Sequence, residues 1–277
     1  MNDKDRLNQI ETDLQRAPTV LYLEGKTDPD VLFSLLGLER PRGDIHQDVY
    51  VKGLGRGASG GTAVTELIRV AKANGRVGTS GRGGIFGILD GDGKDLTELA
   101  ASFDSPFLGP LFFWKSYCIE NHLANSGWPS DWGPTPDWAS ALAEYTPYAA
   151  LNQLQRRILD DLSTLGLARF RNPQGGIALE TVASVRAALG QDKHLISDLD
   201  VEAEFENRAE AIQAKIALSL ADGHTQINGR WFCRHYAPSV TGKSEDRCRQ
   251  EWTASIREAG GLFEIRDWWQ RFTGKVP

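Results

Sequence analysis

Three carboxylates crowd into the stretch "GILDGDGKD" at 87–95, where Asp90, Asp92 and Asp95 follow directly on an apolar run. Like charges this close repel one another unless something positive lies between them. The stretch therefore suits an exposed acidic turn, a calcium loop, or half of a metal site completed from elsewhere. Another apolar run, "LYLEGKTD", closes with Glu24 and Asp28. Their four-residue spacing is about one helical turn, so both can point at the same spot. Hard divalent cations such as Mg²⁺ take oxygen ligands, commonly one or two carboxylates with water and substrate phosphates. Two such ions about 4 Å apart can stabilise the attacking and leaving oxygens of a phosphodiester. The calcium loop fails on position, because the twelfth residue from Asp90 is Ala101, where a bidentate glutamate would be needed. Taken alone, each stretch is equally a strand end followed by a capped, solvated turn. The pairing of the two at matching strand ends is what points to a shared cation.

Those carboxylates need elements to carry them. The β-branched and aromatic run at 19–25 predicts a buried strand, followed by a helix with Asp28 as N-cap ahead of Pro29. A second strand is expected at 48–55 and a second helix at 61–75, closing on a glycine. Strands at 84–90 and 111–119 follow. Strand and helix in alternation call for a parallel sheet covered on both faces, with ligands gathered at the C-terminal strand ends. From 135 to about 221 the pattern turns helical. "DGHTQINGRWFCRHYA" predicts a turn and a short strand, and the tail is helical again. The segment 125–137, rich in Pro, Gly and Trp, marks the expected boundary between residues 1–125 and a mainly helical region, 126–277. The fold class expected is α/β, a mostly parallel sheet flanked by helices.

Composition narrows the class of function. With 277 residues, 40% hydrophobic and 25% charged, the chain can bury a sizeable core. No apolar run approaches the roughly 20 residues of a membrane span, and the polar start has no signal-peptide core. Three cysteines (Cys118, Cys233, Cys248) form no C-x-x-C pair, so a reducing cytoplasm is expected and a disulfide framework is not. A net charge of −6 argues against coating nucleic acid by bulk electrostatics, though not against an enzyme that cuts it with bound ions.

"LYLEGKTD" followed by an apolar strand ending in "LDGDGKD" resembles the TOPRIM fold of topoisomerases, bacterial primases and OLD-family nucleases. "SYCIENHLA" at 116–124 is similar to an Ile-Glu-Asn signature in a TOPRIM subgroup related to OLD nucleases. That subgroup includes the AriB-type effectors of the PARIS anti-phage system, which are released by an ABC-type ATPase. The resemblance spans about 17–125. It implies that Glu24, Asp90 and Asp92 bind Mg²⁺ or Mn²⁺ and carry catalysis, with Asp28 as a further ligand. Glu120 becomes an extra ligand or supporting carboxylate, or else caps the helix beginning near Asn121. Asp95 departs from the core pattern. The implied activity is phosphodiester cleavage in RNA, such as tRNA, or in DNA, under an ATPase partner. The helical region would then serve partner docking, dimerisation or substrate selection. A non-catalytic adaptor and a primase-like nucleotidyl transferase are the alternatives; the chain lacks the zinc module and basic surface expected of a primase.

Other motifs compete. Gly55, Gly57 and Gly60 form G-x-G-x-x-G between strand and helix, the context of a dinucleotide fingerprint, but after the second strand and without the later acidic residue. "APSVTGKS" at 237–244 resembles a phosphate loop, yet too few residues follow for such a domain; a polar turn before a helix suits it better, with Lys243 retained as a possible phosphate contact. Lys26 and Lys94 sit inside the acidic motifs, where each can pair with a carboxylate or stabilise phosphate charge. "RWFCRHY" mixes arginine with aromatics, which suits base stacking or a half-buried strand. The pairs Cys118/His122 and Cys233/His235 lack the four ligands of a structural zinc and read as packing.

Overall fold

The computed structural model describes residues 1–55, 60–78, 83–91, 109–114, 118–126, 128–133, 138–164, 200–221 and 227–277. The chain divides into two compact units, Met1–Thr135 with Asn228–Pro277, and Pro136–Ile227. The sequence suggested a break near 125 with everything beyond it in one helical region. The last fifty residues instead belong with the first unit.

In that unit, α1 (Asp3–Leu14) leads into β1 (Thr19–Leu23), and α2 (Asp28–Leu35) follows. A short β2 (Ile45–His46) turns back antiparallel into β3 (Val49–Gly53). Helix α3 (Gly60–Ala73), β4 (Gly84–Leu89), β5 (Leu111–Phe113) and α4 (Glu120–Asn125) complete the N-terminal part. The sheet order is β2-β3-β1-β4-β5, parallel throughout except for β2. This is the α/β architecture expected, with β1 at its centre. Because both faces are covered, β1 reads as an unbroken apolar run: Val20, Leu21, Tyr22 and Leu23 are all fully buried.

One face packs on α1 and α3, where Val20, Tyr22, Tyr50 and Ile85 meet Ile10, Val64, Leu67 and Ala71. The other face is closed from the far end of the chain. Helix α5 (Trp138–Thr164) and α6 (Val201–Ala221) belong to the second unit, where they pack on each other. After them α7 begins at Gly229–Trp231, widens into a π-helical stretch over Phe232–Tyr236 and ends at Ala237–Thr241. Helices α8 (Glu245–Glu258) and α9 (Phe263–Thr273) finish the fold. Phe272 meets Phe86 edge-on at 4.9 Å between ring centroids and lies 5.9 Å from Phe112. Trp268 reaches Phe112 and Trp114, and Trp269 donates from Nε1 to Gln47 Oε1 at 3.0 Å. The aromatic stripe of α9 thus covers this face of the sheet, which is why the C-terminal residues cannot be a separate region.

Several local expectations change. Residues 229–237 are helical, not a strand, so Cys233 and His235 share no strand face; Phe232, Cys233 and Tyr236 point into a core with Trp252 and Trp128. Thr27, not Asp28, occupies the N-cap of α2, leaving the Asp28 carboxylate free to turn back to Gly25. The strand expected over 111–119 is described only as Leu111–Phe113, with Cys118 and Ile119 leading into α4. The "APSVTGKS" stretch is a helix end, a left-handed Gly242 and the Ser244 N-cap of α8, a turn between helices with no strand before it. Within the helical stretch expected from 135 to about 221, residues 165–199 lie outside the described residues, as do Gly57 and Lys94. No described helix is long and apolar enough to cross a membrane.

Candidate metal centre

Strand β1 lies between β3 and β4, with Leu23 opposite Ile88. The residues immediately beyond the two strand ends, Glu24 and Asp90, therefore emerge side by side at the C-terminal edge of the sheet. The contact is direct: the Asp90 N–H donates to Glu24 Oε1 at 2.7 Å. The Glu24 carboxylate also lies against the first turn of α3. A Cβ on Gly61 would stand 3.2 Å from both of its oxygens, so glycine there lets the carboxylate approach the helix start, where the dipole favours negative charge.

Asp28, on the first turn of α2, is buried and accepts the Gly25 N–H on Oδ2 at 2.7 Å. Burial, reinforced by the negative charge of Glu120, raises its pKa to about 6 despite the Gly25 bond and the Arg230 charge. Asp90 is raised well above the ordinary carboxylate range, again by burial first, with Arg230 opposing and Glu24, Glu120 and Asp28 adding to the rise. Four carboxylates from two strand ends and two helices thus share one electrostatic environment.

Glu120 opens α4 and is 1% exposed. Burial pushes its pKa up, but the guanidinium groups of Arg230 and Arg249 outweigh this and hold its carboxyl below the usual range. Arg230 Nε approaches Glu120 Oε1 at 3.3 Å and Nη2 approaches Asp90 Oδ2 at 3.4 Å. Arg249 on α8 adds Nη2 at 3.5 Å from the same Glu120 oxygen and donates from Nη1 to Thr27 Oγ1 at 3.2 Å. The Glu120 carboxyl also takes a hydrogen bond from its own backbone N–H at the start of α4, so the contacts serve the helix end as well as the two arginines.

The Ile-Glu-Asn stretch explains how Arg230 arrives. Ile119 is fully buried, and Asn121 Oδ1 accepts the N–H of both Cys118, at 3.1 Å, and Gly229, at 2.9 Å. A Cβ on Gly229 would come within 2.3 Å of the Asn121 nitrogen, so only glycine permits this backbone approach. The next residue is Arg230. Burial, with the charges of Glu120 and Asp90, raises the Cys118 thiol far above its ordinary pKa, so it stays protonated and packs as expected.

Each carboxylate uses one oxygen on a donor of the chain: Glu24 Oε1, Asp28 Oδ2, Asp90 Oδ2 and Glu120 Oε1. Asp90 Oδ1 and Glu120 Oε2 are buried without a hydrogen-bond partner among the described residues. Unsatisfied buried carboxylate oxygens are costly, and a cation is one group that would satisfy them. Hard oxygen donors of this kind fit Mg²⁺ or Mn²⁺ better than a soft metal. Among the described residues no group of three or more His, Cys, Asp or Glu side chains is arranged to hold an ion. Asp92 and Asp95 lie outside those residues.

Of the lysines considered, Lys26 is exposed and makes no ion pair among the described residues. Lys243 is held by Glu251, at 2.5 Å, beneath the Trp132 ring. Sequence reasoning missed Arg230 and Arg249 as partners of the carboxylates. The only signal was indirect: four clustered acids demand a basic neighbour, and Arg230 follows a glycine in "NGRW". No family model matches the chain, and no curated protein or solved structure matches it.

Proposed function

We propose that the protein is a divalent-metal-dependent nuclease of TOPRIM type, acting on RNA or DNA. The observation that supports it is the convergence of Glu24 and Asp90, beyond adjacent parallel strands, with Asp28 and Glu120 on two helix starts, one buried oxygen of Asp90 and one of Glu120 having no hydrogen-bond partner among the described residues. Glu24, Asp28 and Asp90, with Asp92 from outside the described residues, would hold Mg²⁺ or Mn²⁺. A divalent ion supplies an activated water and charge stabilisation for a phosphodiester undergoing attack. The chain's own part is to orient the donors. The Asp90 N–H fixes Glu24, the Gly25 N–H fixes Asp28, and Glu120 anchors Arg230 and Arg249 beside the crevice, where a guanidinium can face a phosphate. An anti-phage role under an ABC-type ATPase rests on the motif resemblance alone.

The test is incubation with labelled tRNA, single-stranded and double-stranded DNA under Mg²⁺ or Mn²⁺, comparing the unmodified chain with Glu24→Ala. Cleavage lost in the variant is expected. Cleavage that survives the substitution removes Glu24 from the mechanism. No cutting of any substrate, with an ATPase partner and its trigger present, favours an adaptor that binds without cutting.

A further inference from the structure

The same crevice raises a question of charge balance. Four acidic groups sit together in a site where two of them, Asp28 and Glu120, are almost wholly buried. A cation or a bound proton must offset them for the chain to fold. Arg230 reaches both Asp90 and Glu120, but its contacts of 3.4 and 3.3 Å are long beside the roughly 2.7–2.9 Å of a well-formed charge-assisted bond. Its Nη1 finds no acceptor among the described residues, and its side chain is 33% exposed. The backbone beneath it, by contrast, is fixed through Asn121 and Gly229. Arg230 thus has a firm base and a loosely tied head.

We propose that Arg230 is a built-in counter-ion that competes with the divalent cation for Asp90, and that its head gives way when the cation binds. The inference rests on the metal-site proposal above and adds to it a residue that sets metal affinity. Two cations cannot share Asp90 without repulsion, so the bound state of one weakens the other. Glu120 does not lose its counter-charge when Arg230 leaves, because Arg249 remains paired to Glu120 Oε1 and anchored at Thr27.

The test measures Mn²⁺ binding to the purified full chain by the loss of the free-ion paramagnetic resonance signal, with melting temperature as an independent readout. Arg230→Met is expected to bind Mn²⁺ at least 10-fold more tightly than the unmodified chain, and to melt lower without metal but gain more on adding it. Because that variant removes one of the two guanidinium groups beside Glu120 and puts folding at risk, the pair Glu120→Gln and Glu120→Gln/Arg230→Met supplies the same comparison without a buried carboxylate charge. Again the chain lacking Arg230 should bind more tightly. Equal or weaker Mn²⁺ binding without Arg230, in a chain that does bind Mn²⁺, overturns the counter-ion role and leaves the metal site standing. No Mn²⁺ binding by any of the chains overturns both.

Discussion

The Asp90 backbone N–H donates to Glu24 Oε1 at 2.7 Å although the two residues stand 66 positions apart. The bond exists because β1 and β4 are parallel neighbours in register, so their C-terminal ends reach the same edge together. It ties the two acidic loops into one unit before any ligand is considered.

The first prediction concerns metal linkage. A cation that binds the folded chain and not the unfolded one stabilises it, by about 2.7 kcal/mol at one hundred times its dissociation constant. Thermal melts with Mn²⁺ should therefore shift upward, and excess chelator should reverse the shift. Asp90→Asn should abolish most of it. An Asp90→Asn chain with an undiminished Mn²⁺ shift would place the ion elsewhere.

A second prediction follows from Asp28, whose pKa rises from 3.8 to about 6. The folded chain holds a proton on this group between about pH 4 and 6 that the unfolded chain releases. Its contribution to stability therefore falls as pH rises through that window and is level above it. The effect amounts to roughly 3 kcal/mol at 1.36 kcal/mol per pKa unit. In chelator, Asp28→Asn should melt close to the unmodified chain at pH 4 and clearly above it at pH 7. A difference independent of pH would mean that Asp28 titrates as it does in an unfolded chain.

The third prediction tests the link between α4 and α7. Asn121→Leu removes the acceptor for two buried N–H groups, each costing about 1–3 kcal/mol when left unsatisfied. Gly229→Ala forces a Cβ onto backbone atoms at 2.3 Å. Denaturant titration should show both variants destabilised by at least about 2 kcal/mol. A neutral Gly229→Ala would indicate that the two backbones stand further apart than a 2.3 Å approach of that Cβ allows.

How much of this was legible in the sequence depends on the range of the interaction. Strand ends could be read because a short apolar run followed by a carboxylate is a local signal, and Glu24 and Asp90 each carry one. The α/β alternation was legible for the same reason. Arg230 was not, because its pairing with Glu120 spans 110 positions and its own segment is a short mix of arginine and aromatics that suits a half-buried strand. The buried residues Phe232, Cys233 and Tyr236 in fact follow a helical i, i+1, i+4 spacing, over a π-helical turn too short to show a clear period. The domain boundary misled for a related reason: helical periodicity in α9 is plain, but nothing local says which sheet its aromatic stripe covers.

The fourth prediction addresses that stripe. Phe272 touches Phe86, Phe112, Trp268 and Trp269. Truncating such a ring to alanine costs about 3–5 kcal/mol. Phe272→Ala should therefore lower the denaturation midpoint of the sheet unit sharply. A loss below about 1 kcal/mol would mean that α9 does not carry this face.

Because Arg230, Arg249 and the rings of α9 all come from the final fifty residues of the first unit, order of synthesis matters. A nascent chain that has emerged only as far as α4 carries every acidic group of the crevice but neither arginine. Its neighbouring like charges oppose closure until residues 228–277 have also been made, so a later segment locks an earlier one into shape.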